Sequence, residues 1–241
     1  MRGLQRAGRA VVELYPRGLR LFLLAPAIPA LVVLPEFSQH VAEIRLGMFD
    51  SIESFTALQL DATRMAFGYA KIAGLLLTIL AAARFWWTRE HGGHWWNLRS
   101  VAWGRLVTGA VFFIGVGSLP ELAKPYLTPA MYQIVSIGWS ILLLPFLFLM
   151  LAGLFGDRET SMSAMIRRAW PWLLLTAILA VLAFGPSAWL HQMNHHWAMC
   201  ADRVVVWLLM LFDSLLVGLM AVLTGTAFYL GYAAFARSDR A

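Results

Sequence analysis

Six apolar stretches separated by short connections most constrain how this chain folds. They cover residues 19–34, 65–87, 101–119, 131–155, 172–190 and 204–235. Most approach the roughly 20 apolar residues that a helix needs to cross a bilayer. Composition agrees, because 60% of the residues are hydrophobic and only 13% are charged. The pattern predicts an all-α polytopic membrane protein with six transmembrane helices arranged as three hairpins.

The positions of the basic residues predict its orientation. Fourteen of the 19 Lys and Arg residues lie in or beside the N-terminal segment, the second and fourth connections and the C-terminal tail: Arg2, Arg6, Arg9, Arg17, Arg20, Arg84, Arg89, Arg99, Arg105, Arg158, Arg167, Arg168, Arg237 and Arg240. The other connections hold four, which are Arg45, Arg64, Lys124 and Arg203. Because cytoplasmic loops carry an excess of Lys and Arg, we expect both termini in the cytoplasm and the protein in a bacterial inner membrane.

We expect residues 1–241 to form a single integral membrane domain. The longest connection, residues 35–64, is too short to bury a soluble core of its own. Two segments are predicted to lie on the membrane surface, because apolar residues recur in them at three- and four-residue steps. Residues 1–18 are predicted to form a cytoplasmic interfacial helix, and residues 35–64 an outer amphipathic loop.

Two ionisable residues, Lys71 and Asp213, fall well inside the apolar stretches. Such residues are energetically costly in a membrane and are candidates for function. At 1.5 Å of rise per residue they lie about 9 Å and about 14 Å from the outer ends of their helices. We therefore expect an intramembrane polar pair if the two helices touch. The pair could be a static bridge or a relay for protons or substrate, or Lys71 could reach outward to the headgroups.

Histidines in the third outer loop are a candidate metal site. His191, His195 and His196 precede Cys200, and in a helix the first two would share one face, a spacing that can hold a metal ion. Nearby thioether and thiol groups would favour copper(I), whereas imidazoles with a thiolate would suit zinc. The alternative is that these are solvated loop residues. No histidine is expected deep within a span.

Small residues recur four apart in the last apolar stretch. Ser214 and Gly218, and Ala221 and Gly225, are two such pairs. Small residues at this spacing allow the backbones of neighbouring membrane helices to approach closely. We interpret these four residues as a helix-packing face.

Catalytic motifs are missing from the sequence. It contains no phosphate-binding glycine loop, HExxH, GxSxG or CxxCH pattern, so we assign no catalytic residue and do not expect an enzyme. The net charge of +6 is explained by arginines beside anionic lipid, so nucleic acid is not an expected partner. The expected partners are the phospholipid bilayer and either other membrane subunits or a second copy of the chain.

Two segments carry a resemblance to a known family. Residues 167–171 (RRAWP) and 224–230 (TGTAFYL) are similar to the six-helix membrane domain of some bacterial glycerophosphodiester phosphodiesterases and of related stand-alone inner-membrane proteins. Hydrolase activity in that family belongs to a soluble domain that this chain lacks. The resemblance therefore implies a membrane module and no catalytic residue.

Two functions remain open at this point. The first is an inner-membrane protein without catalytic machinery, acting as a transport-related, lipid-handling or assembly subunit. The alternative is a periplasm-facing metal-handling protein or metalloenzyme that uses the loop from His191 to Cys200.

Overall fold

Helices form every regular element of the described chain, as the all-α prediction requires. The structure, a computed structural model, describes the backbone of residues 2–239. Its α-helices are α1 (Arg2–Leu24), α2 (Ala27–Arg45), α3 (Ile52–Leu58), α4 (Ala62–His91), α5 (Trp103–Ala110), α6 (Leu119–Ala123), α7 (Pro129–Phe155), α8 (Met162–Arg168), α9 (Trp170–Ala198) and α10 (Arg203–Asp239). Short 3-10 and π turns join α5 to α6.

Within residues 2–239, five helical segments are long and apolar enough to cross a membrane. They are Ala62–His91, Trp103–Tyr126, Pro129–Phe155, Trp170–Ala198 and Arg203–Ser238. A sixth is counted only if α1 and α2 together form one span. Five of the six apolar stretches therefore correspond to helices of spanning length.

The first apolar stretch, residues 19–34, differs from the prediction of one straight span. The chain bends by 85° between α1 and α2. Pro26 is the residue before the first turn of α2, where its missing amide hydrogen removes no bond that the new helix needs. The helix predicted over residues 1–18 extends to Leu24, so the break comes inside the apolar stretch.

Two helices continue into segments that we predicted to be outer loops. Helix α2 runs on to Arg45 although a loop was expected from residue 35, and α9 runs on to Ala198 although a loop was expected after residue 190. Both extensions are rich in polar residues, which lowers their hydropathy. The helices nevertheless continue because those side chains find polar partners inside the bundle.

The described chain forms two compact units. Helices α4, α9 and α10 each contribute residues to both units. Residues 1–83 and 178–227 form unit 1, and residues 84–177 and 228–241 form unit 2. In unit 2, the buried guanidinium of Arg84 donates hydrogen bonds to the carbonyls of Trp95, Asn97 and Leu154. These bonds hold together segments that the sequence separates widely.

Glycines bring the helices of unit 1 into close contact. A Cβ atom added at Gly74 would lie 2.2 Å from the carbonyl oxygen of Leu31 on α2, and one added at Gly225 would lie 2.3 Å from the carbonyl oxygen of Ile79 on α4. Both distances are shorter than van der Waals contact, so only glycine allows the helices to approach this closely.

The other three residues of the predicted packing face also lie inside unit 1. Ser214 and Ala221 are buried, and the Ser214 hydroxyl donates to the carbonyl of Met210 at 2.8 Å. A Cβ at Gly218 would lie 2.5 Å from the side chain of Val33 on α2. Helix α10 therefore packs tightly against α2, which sets the distance across which their polar side chains meet.

Candidate metal centre

A layer of buried polar side chains lies between four helices of unit 1. We call it the polar layer, and its members are Glu36, Gln39, His40 and Glu43 of α2, Arg64 and Lys71 of α4, His191, Asn194 and His195 of α9, and Asp213 of α10. In α2, residues 39 and 40 come three and four residues after Glu36, and Glu43 comes four and three residues after them, so all four share one helix face. The carboxyl groups of Glu36, Glu43 and Asp213 and the imidazole of His40 are fully buried.

His40 contacts three carboxylates at once. Its Nδ1 lies 2.8 Å from Oε2 of Glu43. Its Nε2 lies 3.1 Å from Oδ2 of Asp213 and 3.2 Å from Oε1 of Glu36. Ionised carboxylates only accept hydrogen bonds, so in the metal-free layer both ring nitrogens donate to them and the ring is an imidazolium. A metal ion bound at Nε2 would take the place of the proton there. His40 thereby links α2 to α10 through charge-assisted bonds.

Asp213 faces α9 as well as α2. Its Oδ2 accepts a hydrogen bond from Nδ1 of His191 at 2.7 Å and lies 3.8 Å from Nε2 of His195. Its Oδ1 accepts from Nδ2 of Asn194 at 2.8 Å. One carboxylate of α10 therefore lies among imidazoles of two other helices.

Two cations of α4 balance the remaining negative charge. Nε of Arg64 donates to Oε1 of Glu43 at 2.8 Å, and Nζ of Lys71 lies 3.3 Å from Oε2 of Glu36. Three carboxylates then face three cations when the imidazolium of His40 is counted. A buried charge is costly unless it is paired, and this balance accounts for so many ionisable groups inside an apolar bundle.

Apolar residues close the polar layer at both ends. On the side of the C-terminus of α9, Phe49, Ala198, Val206 and Met210 form one cluster, and the ring of Phe49 stacks on His195 at 6.0 Å between centroids. On the opposite side, Val32, Val217, Met220 and Ala221 form another. The side chains of His191 and His195 remain 24% and 20% exposed, so protein does not seal the layer at their edge.

The layer contains two groups of residues with the geometry of metal ligands. One is His40, His195 and Asp213, and the other is Glu36, His191 and Asp213; within each group the ligand atoms lie within 4.8 Å of one another. Two imidazoles with one carboxylate form a ligand set that holds zinc or iron(II) and leaves coordination positions open.

Buried oxygen atoms without hydrogen bonds also indicate capacity for a cation. Among the described side chains, Oε2 of Glu36, Oε1 of Gln39 and Oδ1 of Asn194 are buried acceptors without a hydrogen-bond donor. Oε2 of Glu36 lies 3.3 Å from the ammonium of Lys71. Buried acceptors are nearly always satisfied in folded proteins, so these three oxygens have lone pairs that a cation or its bound water could use.

The structure includes two of the four predicted metal ligands in this centre. His191 and His195 contribute to it, whereas His196 is exposed. Cys200 is also exposed, and its Sγ lies 3.7 Å from the carbonyl oxygen of Asp50. The ligand groups consist of nitrogen and oxygen donors only, so the thiol that favoured copper(I) lies outside them.

The direct pair of Lys71 and Asp213 is a prediction that the structure corrects. Lys71 pairs with Glu36, and Asp213 pairs with His40 and His191. The two predicted residues are connected indirectly, through Glu36 and His40. Helix α2 accounts for the difference, because it continues past residue 35 and inserts its own ionisable side chains between them.

A double-mutant cycle should detect this arrangement. We expect Lys71→Met and Glu36→Gln to couple, since residues in contact typically show coupling energies of about 0.5–3 kcal/mol. Because Lys71 is a quarter exposed, the value should fall in the lower half of that range. The measurement is unfolding of the singles and the double in detergent. A larger coupling of Lys71→Met with Asp213→Leu would contradict the geometry.

The sequence analysis missed Glu36, His40, Glu43 and Asn194. A signal was present, because the pattern Glu-x-x-x-His-x-x-Glu of residues 36–43 places three ligand-type side chains on one helix face. It was overlooked because those residues were interpreted as loop.

Comparison of the chain with protein-family models, with curated proteins and with solved structures found no match.

Proposed function

We propose that this is an integral membrane protein that binds a divalent transition-metal ion in the polar layer, between α2, α9 and α10. The observation that carries the proposal is the convergence of His40, His195 and Asp213, from three helices, within 4.8 Å. This is the second of the two functions considered from the sequence, a metal-handling protein or metalloenzyme, with a different ligand set.

The spacing of His195 favours a metal over a purely structural ion network. Its Nε2 lies 3.8 Å from Oδ2 of Asp213, which is beyond hydrogen-bonding distance. Two atoms that bind the same zinc ion are about 3–3.5 Å apart, because each lies about 2.1 Å from it. A shift of a few tenths of an ångström would bring both atoms onto one ion. A static salt bridge between His40 and Asp213 does not require this additional imidazole.

The donor atoms favour zinc, iron or manganese. Imidazole suits zinc and iron, carboxylate suits manganese, and copper(I) selects the sulfur ligands that the ligand groups lack. Three protein ligands leave positions open for water or a substrate, which is the arrangement of catalytic rather than structural zinc sites. A role in metal handling or in metal-dependent chemistry is supported by this openness.

The position of the centre supports a membrane protein that faces the periplasm. The basic residues flank the second and fourth connections, which favours cytoplasmic termini and six spans in an inner membrane. The polar layer lies toward the other side, near the 46–61 and 199–202 connections. A transport-related, lipid-handling or assembly role stays a prediction, as does the resemblance to the membrane domain of glycerophosphodiester phosphodiesterases. None of the residues that carry this resemblance, 167–171 and 224–230, belongs to the metal centre.

Metal analysis of the purified protein tests the proposal. The wild-type protein, purified in detergent, loaded with zinc, iron(II) or manganese(II) and then desalted, should retain about one ion per chain. The His191→Ala/His195→Ala double variant should retain little, since two of the three imidazole ligands are gone. His196→Ala and Cys200→Ser serve as controls and should keep the metal. A wild-type protein that keeps none of these ions would overturn the proposal.

A further inference from the structure

The two ligand groups of the polar layer are displaced from each other along the helix axes. His40 follows Glu36 by four residues on α2, and His195 follows His191 by four residues on α9. The connections that follow these two helices meet, because the amide of Cys200 donates to the carbonyl of Phe49 at 2.8 Å. Along the helices, His40 lies beside His195, with 5.4 Å between ring centroids, and Glu36 is grouped with His191. The helices are therefore parallel, and both steps go in the same direction.

We infer that the centre contains two alternative, overlapping cation sites, which share Asp213 and hold one ion at a time. The inference rests on the proposed function. We call His40, His195 and Asp213 the outer site, and Glu36, His191 and Asp213 the inner site. The two sites overlap closely, because Nε2 of His40 lies 3.2 Å from Oε1 of Glu36 and the rings of His191 and His195 lie 4.9 Å apart between centroids, so an ion in one site occupies the space of the other.

Charge explains why a single ion is bound. In the metal-free layer, the imidazolium of His40 and the ammonium of Lys71 balance the two negative charges of Glu36 and Asp213. One divalent cation can replace both, since metal binding at Nε2 of His40 releases its proton and the partly exposed side chain of Lys71 can turn outward. Glu43 is already paired with Arg64 at 2.8 Å. A second divalent cation would leave an uncompensated double positive charge between the apolar clusters of Phe49 and Val32, where desolvation makes unpaired charge costly.

The two sites differ in the chemistry of their ligands. The outer site has two imidazoles and one carboxylate, and the inner site has one imidazole and two carboxylates. Zinc accepts nitrogen ligands readily, whereas manganese(II) prefers carboxylate oxygen. We therefore expect zinc to favour the outer site and manganese to favour the inner one.

Lys71 competes with a cation at the inner site only. Its ammonium lies within 3.4 Å of both carboxylate oxygens of Glu36, and its side chain is 24% exposed. An ion that binds Glu36 must displace this ammonium, which can swing outward along the exposed edge. Removal of the positive charge should consequently strengthen manganese binding more than zinc binding.

The test compares zinc and manganese affinities in two matched variants of α2. Glu36→Gln and Glu43→Gln each remove one carboxylate charge, and the two residues flank His40 on opposite sides. Glu36 is an inner-site ligand, whereas Glu43 belongs to neither site and holds Nδ1 of the outer-site ligand His40. Loss of such an orienting partner typically weakens metal binding by about 10–100-fold.

We expect Glu36→Gln to weaken manganese binding at least about tenfold more than it weakens zinc binding. We expect Glu43→Gln to weaken zinc binding at least about tenfold more than it weakens manganese binding. Lys71→Met should tighten manganese binding. Titration of each purified variant with each ion alone, with stoichiometry from metal analysis, supplies the measurements. Equal effects of the two variants on both ions, or two ions per wild-type chain, would overturn the inference while leaving the proposed function standing. Failure of the wild type to bind either ion would instead refute the proposed function.

Discussion

Asp213→Asn should abolish stoichiometric metal binding. Asp213 is the one residue common to both ligand groups, and its carboxylate accepts hydrogen bonds from His40, His191 and Asn194. The amide keeps the size of the side chain but removes its charge. Because loss of a partner that only orients a ligand already costs about 10–100-fold in affinity, loss of the shared ligand should weaken binding more than about 100-fold. Equilibrium titration with zinc gives the value.

Asp202→Asn is the matched control, at the residue just before α10. Asp202 is exposed, and its Oδ1 accepts a hydrogen bond from the amide of Val204, at the start of α10. The same chemical change there should leave the zinc affinity at its wild-type value. If Asp213→Asn and Asp202→Asn bind zinc equally well, the ligands must lie elsewhere in the protein.

His40→Leu should destabilise the fold more than any other single change in the polar layer. His40 is the cation that separates Glu36, Glu43 and Asp213, and all four side chains are fully buried. Without it, the three buried carboxylates keep two cations of α4, Arg64 and Lys71, and Asp213 keeps its hydrogen bonds from α9. Removal of one partner from a buried ion pair costs about 3–5 kcal/mol, which lowers the melting temperature of a protein of this size by roughly 10 °C.

Thermal unfolding in detergent without added metal measures this loss. His196→Leu is the control, because His196 is exposed on α9 and the same substitution there should change the melting temperature little. The His40→Leu/Glu36→Gln double variant should recover part of the loss, since it removes one of the unbalanced charges. Equal melting temperatures for His40→Leu and His196→Leu would show that His40 does not hold the carboxylates together.

The architecture could be predicted from the sequence where hydropathy alone decides it. Helices α7 and α10 are 27 and 37 residues long and contain the apolar stretches 131–155 and 204–235, so their prediction needs no knowledge of neighbouring helices. Helices α2 and α9 were shortened by the prediction, because it ended them where polar residues begin. Those polar residues stay helical since their partners come from other helices, and a hydropathy profile does not contain this information.

The sequence analysis identified some residues of the candidate site and missed others. Asp213 stood out because it lies inside an apolar run, and His191 and His195 stood out by their helical spacing. Glu36 and His40 did not, because they were assigned to an outer loop. Lys71 was paired with the wrong carboxylate for the same reason. Depth along a helix indicates which residues lie at a similar level, but which of them meet depends on how the helices pack.

X-ray absorption at the edge of the bound metal tests the central claim most directly. With zinc-loaded wild-type protein, we expect a shell of nitrogen and oxygen ligands at about 2.0–2.2 Å, with the outer-shell scattering of two imidazoles. A sulfur ligand at about 2.3 Å, which would have to come from Cys200 or a methionine, or a spectrum without imidazole scattering, would contradict a centre built from α2, α9 and α10.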